Sequence, residues 1–288
     1  MGSHPNTLPT PVTAAGRAGL AALLQRPGES VVALDFDGTL APIVADPERA
    51  RAHPRAVPAL ARLAPALGSV AVITGRPAEA AVRHGGFAGV SGLDHLVVLG
   101  HYGAERWEAA DGTVSAPPPH PGVAAVREEL PGVLERTGAG DGTWVEDKGR
   151  SVAVHTRRAA APQAVFELLR EPLRELAERH GLLVEPGRMV LELRPPGVDK
   201  GLALTGHVRD TGAGVVLYAG DDLGDLAAYD AVEQLRSEGV AGLLVCSAAA
   251  SGEGAEELAR RADVVVDGPA GVAGLLAALA DALPPSAG

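Results

Sequence analysis

Short apolar runs recur along the chain, and each gives way to glycine or polar residues. Val31-Val32-Ala33-Leu34, Val70-Ala71-Val72-Ile73, Leu96-Val97-Val98-Leu99, residues 215–218, residues 243–246 and residues 264–266 all fit this description. Runs this short and this β-branched predict strands buried on both faces of a parallel sheet. Helical spacing falls between them, at 17–24, at 56–67 with Leu60, Leu63 and Leu67 on one side, and at 227–237, 255–261 and 272–280. Strands alternating with helices predict an α/β layer architecture.

The middle of the chain has a different texture. Residues 104–107 and 112–114 read as a hairpin about Asp111-Gly112, and Pro117-Pro118-Pro119-His120-Pro121 as a stiff extended connector. A helix over 123–136, interrupted by Pro131, precedes a hairpin of 143–147 and 151–156 about Lys148-Gly149. Residues 162–179 place apolar side chains at 165, 168, 169, 173 and 176, the stripe of a helix lying on a sheet. Strands at 182–185 and 189–194 follow, and Pro195-Pro196-Gly197 marks the return. This order predicts a small antiparallel sheet with helices on one face, inserted into the larger fold. The expected division is a core over 1–114 and 196–288 and a cap over 115–195, with residues 1–15 as a loose arm.

Composition narrows the function classes. The formal net charge of −11 disfavours broad attraction to nucleic acid or anionic lipid. No apolar stretch has the length of a membrane span, and the N-terminus lacks a basic region followed by an apolar core, so a cytoplasmic protein is expected. A monomer is the expected state. Cys246 is the single cysteine, which excludes an intrachain disulfide, and its apolar neighbours predict a buried strand position.

The chemistry gathers where the core strands end. Asp35 and Asp37 follow the first strand, separated by Phe36 and followed by Gly38-Thr39. Two close carboxylates repel unless a cation or a proton intervenes, which suits magnesium chemistry, nucleophilic attack or both; an Asp-Gly turn is the plainer reading. The second strand ends in Thr74-Gly75-Arg76-Pro77, where a hydroxyl and backbone N–H groups meet an anion or simply cap a turn. His101 and Tyr102 after the third strand line a pocket or pack. Asp221, Asp222 and Asp225 follow the strand at 215–218, and Lys200 opens the helix after the cap. Parallel strands share a direction, so these groups converge at one edge. Asp35, Asp37 and Asp221 are the expected Mg²⁺ ligands, Asp37 through its carboxylate or its carbonyl. In the mechanism that fits, Asp35 attacks phosphorus and Asp37 serves as acid and then base. Thr74 and Lys200 hold phosphoryl oxygens, and Asp225 orients Lys200.

The combination Asp35-Phe36-Asp37-Gly38-Thr39-Leu40, Thr74-Gly75-Arg76, Lys200 and Gly220-Asp221-Asp222 through Asp225 resembles the haloacid-dehalogenase-like phosphatases. Within that superfamily the chain resembles trehalose-6-phosphate phosphatases. This likeness rests on Ala41-Pro42-Ile43-Val44, His101-Tyr102-Gly103-Ala104-Glu105, Val145-Glu146-Asp147-Lys148-Gly149 followed by Val152–His155, and Glu192-Leu193-Arg194-Pro195, and covers about residues 30–270. The resemblance implies a haloacid-dehalogenase-like (HAD-like) Rossmannoid core with an inserted α+β cap, Mg²⁺ as cofactor, and a small sugar phosphate as partner. It implies Asp35 as nucleophile, Asp37 as acid/base, Asp221 as metal ligand, and Glu146, Lys148 and Glu192 as sugar contacts. Gly75, Arg76 and His101 complete the expected substrate-binding set. Where that family often carries Thr-Asp-Glu-Asp, this chain has Leu223-Gly224-Asp225-Leu226. The alternatives are a phosphatase for sucrose 6-phosphate, mannosyl-phosphoglycerate or another sugar phosphate, a phosphosugar-binding domain without turnover, and an interaction module.

Overall fold

The structure, a computed structural model, describes residues 7–44, 46–187, 189–248 and 255–283. In chain order the elements are α1 (Ala14–Gln25), β1 (Ser30–Leu34), α2 (Ala56–Leu63), β2 (Ser69–Ile73), α3 (Ala78–Gly85), β3 (Leu96–Gly100), β4 (Glu105–Glu108) and β5 (Val114–Ser115). Then come α4 (Pro121–Thr137), β6 (Trp144–Asp147), β7 (Val152–His155), α5 (Pro162–Arg179), β8 (Leu183–Gly187) and β9 (Val190–Arg194). The chain closes with α6 (Lys200–Thr211), β10 (Val215–Gly220), α7 (Leu226–Ser237), β11 (Ala241–Ser247), α8 (Ala255–Arg261), β12 (Val264–Val266) and α9 (Gly268–Ala282). Described residues up to Ala116 and from Asp199 onward form one compact unit, and Pro117–Val198 forms a second.

The first unit is built on an eight-stranded sheet of order β12-β11-β10-β1-β2-β3-β4-β5. Pairing is parallel from β12 through β3, and the two final strands join antiparallel. Every residue of β1, β2, β3 and β10 is buried, which is why these strands read as unbroken apolar runs. One face of the sheet (Val32, Leu34, Val70, Val72, Leu217, Val245) packs with Leu23, Leu60, Leu63, Leu276 and Leu279 from α1, α2 and α9. The other (Val31, Ala33, Ile73, Val216, Tyr218, Cys246) packs with Leu204, Val208, Tyr229, Val232 and Leu258 from α6, α7 and α8. Removing one such buried leucine side chain costs about 2–5 kcal/mol.

Three local expectations are corrected. The helix expected over 56–67 stops at Leu63 and tightens into a 3₁₀ turn, Ala64–Ala66, because Pro65 has no N–H to continue the α-ladder. The arm expected to be loose is anchored from Val12 onward: Val12 N–H donates to the Asp263 carbonyl (2.8 Å), and Thr13 caps α1. The Thr13 hydroxyl also bonds the Asp263 carboxylate. Residues 1–6 of that arm lie outside the described residues. Pro131, expected to interrupt a helix, lies inside an unbroken α4. It is on the exposed side, while Val123, Val126, Leu130, Val133 and Leu134 keep the opposite side buried.

The second unit is a four-stranded antiparallel sheet of order β6-β7-β9-β8 with α4 and α5. Val152, Val154, Leu191 and Leu193 pack with Val126, Leu130, Phe166, Leu169 and Leu173. Among the alternate positions are Glu146, His155, Glu185, Glu192 and Arg194. Register places Glu146, Ala153, Glu192 and Glu185 in one cross-strand row, so three carboxylates project on the sheet face away from the helices. Among the described residues, no helix is long and apolar enough to cross a membrane.

Candidate active site

Asp35 is the first residue past β1, and its N–H still donates to the Ala219 carbonyl of β10 (2.9 Å). The chain then folds back tightly: Gly38 N–H donates to the Ala41 carbonyl, and Leu40 and Ala41 N–H groups to the Phe36 carbonyl. Gly38 is left-handed (φ 78°), and a Cβ there would lie 1.9 Å from Asp221 Oδ2. This turn and the loop after β10 are therefore in direct contact, and only glycine permits it.

Lys200, the first residue of α6, reaches both ends of the site. Its Nζ donates to Asp35 Oδ1 and to Asp225 Oδ1, each at 2.7 Å. Asp225 is fully buried and saturated: Oδ1 also accepts from Tyr218 Oη (2.5 Å), and Oδ2 accepts from Asp221 and Asp222 N–H (2.9 and 3.2 Å). Asp225 is thus the brace that fixes Lys200 and the Asp221 loop. Oxygens of Asp35, Asp221 and Asp225 lie within 4.8 Å of one another.

The electrostatics are those of crowded, buried carboxylates. Burial, opposed by Lys200 and reinforced by Asp225 and Asp222, pushes Asp35 up to about 8. Burial and then the charges of Asp35, Asp225 and Asp222 push Asp221 up to about 10. Burial disfavours the Lys200 ammonium, but Asp225 and Asp35 outweigh it and hold its pKa well above the ordinary lysine value. Asp221 Oδ1 is buried with no hydrogen-bond partner among the described residues. A buried carboxylate oxygen with no donor, beside a second carboxylate, fits a hard divalent cation of the Mg²⁺ type. Asp35 and Asp221 are the side chains that can hold it, since Asp225 has both oxygens taken.

Asp37 takes a different course. Its two oxygens accept from Arg76 Nε and Nη2 in a bidentate fork, both at 2.7 Å. Its carboxylate is outside the group of mutually close oxygens, so of the two expected modes of metal binding, carboxylate or carbonyl, the carboxylate is engaged elsewhere. Arg76, expected to bind substrate, is directed into the protein: it also donates to the Pro47 carbonyl, meets His84 Nδ1 (3.0 Å) and lies over the Phe36 ring. A planar guanidinium with a carboxylate at fork geometry makes this its preferred contact.

Thr74 is buried at the end of β2, and its hydroxyl accepts from Arg76 N–H (3.1 Å). Gly75 lies under the Tyr102 ring. The first N–H of α3, expected to face an external anion, is met by Glu105 Oε2 of β4 (Ala78 N, 2.8 Å). His101 is buried with Nε2 3.8 Å from Glu105 Oε1.

In the second unit, Lys148 Nζ donates to Glu192 Oε2 (2.8 Å), whose Oε1 accepts from Ser151 Oγ (2.6 Å). Glu146 pairs with His155 Nε2 (2.8 Å), and Trp144 stacks on the His155 ring at 4.5 Å. Arg194 pairs with Glu185 (2.7 Å). Glu146, Lys148 and Glu192 thus belong to one polar lattice. Ser151, His155, Trp144 and Tyr218 are not among the site residues expected from the sequence. The first three have cross-strand partners that only register reveals, while Tyr218 looks like one more apolar strand residue.

Comparison with known proteins agrees with this geometry. Residues 33–262 match the family model described as trehalose-phosphatase. The trehalose-phosphate phosphatase of Mycobacterium marinum is 38% identical over 238 residues, covering 80% of this chain and 57% of the relative. That of Mycolicibacterium paratuberculosis is 36% identical over 217 residues, covering 73% and 53%. The chain therefore spans a little over half the length of these curated relatives. Among solved structures, the C-terminal domain of the Candida albicans trehalose-6-phosphate phosphatase superposes with a TM-score of 0.70 at 20% identity, covering 96% of this chain and 99% of that one. The Aspergillus fumigatus trehalose-6-phosphate phosphatase gives 0.65 at 24%, covering 95% and 99%, a likeness of fold. With four-fifths of its length matched by one family model and with the strand-end aspartates gathered around Lys200, this chain is a member of the trehalose-phosphatase family.

Proposed function

We propose that the chain hydrolyses trehalose 6-phosphate to trehalose and inorganic phosphate, with Mg²⁺ as cofactor. The observation that carries the reading is the Lys200 bridge between Asp35 and Asp225 beside the donorless Asp221 oxygen. Lys200 holds one oxygen of Asp35, leaving the other to attack phosphorus. The new O–P bond forms as the bond from phosphorus to the sugar oxygen breaks, and Asp37 gives its proton to that leaving oxygen. Water then attacks the aspartyl-phosphate, Asp37 takes its proton, and phosphate leaves with Asp35 restored. Asp35, Asp221 and the Asp37 carbonyl would hold Mg²⁺, whose charge offsets that of the phosphoryl oxygens. Thr74 and Gly75 supply a hydroxyl and an N–H to those oxygens, and Arg76 orients Asp37. Lys148, Glu146 and Glu192 present donors and acceptors to sugar hydroxyls.

The test is phosphate release from trehalose 6-phosphate, sucrose 6-phosphate, mannosyl-phosphoglycerate and glucose 6-phosphate, with Mg²⁺ and with chelator. We expect trehalose 6-phosphate to dominate and chelator to abolish turnover. Dominant turnover of another ester would displace the sugar assignment while leaving the core chemistry, and undiminished turnover in chelator would remove the metal.

A further inference from the structure

The loop after β3 carries a backbone feature that the reaction as described does not use. His101 (φ 48°) and Tyr102 (φ 58°, ψ 30°) are consecutive residues with side chains in the left-handed region. That region is disfavoured for any residue with a Cβ, and such pairs persist only where surrounding contacts over-determine them.

Two main-chain hydrogen bonds tie the pair to the turn after β2. His101 N–H donates to the Arg76 carbonyl and Tyr102 N–H to the Thr74 carbonyl, both at 2.9 Å. The Tyr102 ring covers the residue between: a Cβ on Gly75 would lie 2.7 Å from Tyr102 Cζ and Oη. Gly75 itself is not left-handed, so its backbone alone does not require glycine. The ring's approach does. On the loop's other side, Gly103 (φ 97°) sits so close to α6 that a Cβ would come 2.7 Å from the Ala203 Cβ, one turn along from Lys200. The loop is thus wedged between the turn carrying Thr74 and the helix carrying Lys200.

We infer that Tyr102 is a positioning residue, whose ring over Gly75 and left-handed main chain fix the Thr74–Gly75 donors relative to Lys200 and Asp35. The inference rests on reading Thr74 and Gly75 as phosphoryl-oxygen donors. It accounts for the glycine of the Thr-Gly-Arg turn by a tertiary contact, and it separates activity from stability at position 102. Glycine there relieves the left-handed backbone while removing the ring.

The experiment compares Tyr102→Gly, Tyr102→Phe, Gly75→Ala and the double variant Gly75→Ala/Tyr102→Gly. Each is measured by thermal unfolding, by kcat and KM on whichever ester the parent hydrolyses best, and by competitive inhibition with inorganic phosphate. Tyr102→Gly is expected to unfold no earlier than the parent yet to lose about 10²-fold in kcat/KM, the scale of a small misplacement of reacting groups. Its inhibition constant for phosphate should rise. Tyr102→Phe, which keeps the ring, should stay close to the parent. Gly75→Ala should be impaired in the parent background and add little to Tyr102→Gly, since the methyl then has room. Tyr102→Gly with full activity, joint loss of stability and activity, or Tyr102→Phe as impaired as Tyr102→Gly would overturn the inference. A parent that prefers another ester defeats the trehalose reading but leaves this test intact, because phosphate inhibition is read independently of the sugar. A parent indifferent to phosphate defeats both.

Discussion

The strand-end site of the first unit and the polar row of the second handle carboxylates in opposite ways. At the first, Asp35, Asp221 and Asp225 gather around a single ammonium, and all four side chains are buried. In the second, every carboxylate of the row has its own basic mate: Glu146 with His155, Glu192 with Lys148, Glu185 with Arg194. A buried excess of negative charge is costly, and it is relieved either by retained protons or by a cation. A row of matched donors and acceptors has no such excess and offers an uncharged polyol many hydrogen bonds. One region gathers an excess of buried carboxylates that a cation would offset, and the other pairs each of its carboxylates with a base.

The sharpest way to break that contrast is Asp35→Asn. Lys200 keeps its bond to Asp225, so the fold should hold by circular dichroism while kcat falls at least about 10⁴-fold. Residual turnover near the parent's would mean the excess charge has another purpose. A smaller effect concerns His207, which the same unit buries without charge. It is buried against Ser69 Oγ (2.9 Å), and burial together with Arg106 lowers its pKa to about 4. The unfolded chain takes up this proton near pH 6.5 and the folded chain near 4, so the neutral imidazole's stability is present above 6.5 and lost as pH falls toward 4. The loss amounts to roughly 3 kcal/mol. Urea unfolding across that interval should show it in the parent and show it reduced in His207→Gln; equal slopes would refute the assignment. Smallest is Lys148→Ala, expected to raise KM about 10-fold with kcat little changed and phosphate inhibition unaltered. A fall in kcat comparable to that of Asp35→Asn would erase the division between chemistry and recognition.

What the sequence displayed were groups whose position follows from a strand ending. Asp35, Thr74 and Asp221 are legible because a buried parallel strand has one exit and all exits share an edge. What it concealed were partners chosen in three dimensions. Nothing near Arg76 announces that its fork will close on Asp37, 39 positions earlier. Nor does Tyr218, inside an apolar run, reveal a hydroxyl aimed at Asp225. The arm misread as loose shows the same limit: its proline and threonine content suggests disorder, yet Val12 and Thr13 bond Asp263 near the other end of the chain. Pro131 suggests a break because the rule for proline concerns the backbone, whereas α4 is held by its buried side.

The strand order has a consequence for how the molecule is made. β1, which leads to Asp35, lies between β2 and β10, and its partners in β10 are residues 215–219. A growing polypeptide therefore exposes one flank of β1 until the ribosome has delivered the whole inserted unit and the strand beyond it. No fragment ending before β10 can enclose Asp35 or supply the Asp225 brace, whereas Pro117–Val198 is contiguous and contains both its sheet and its helices.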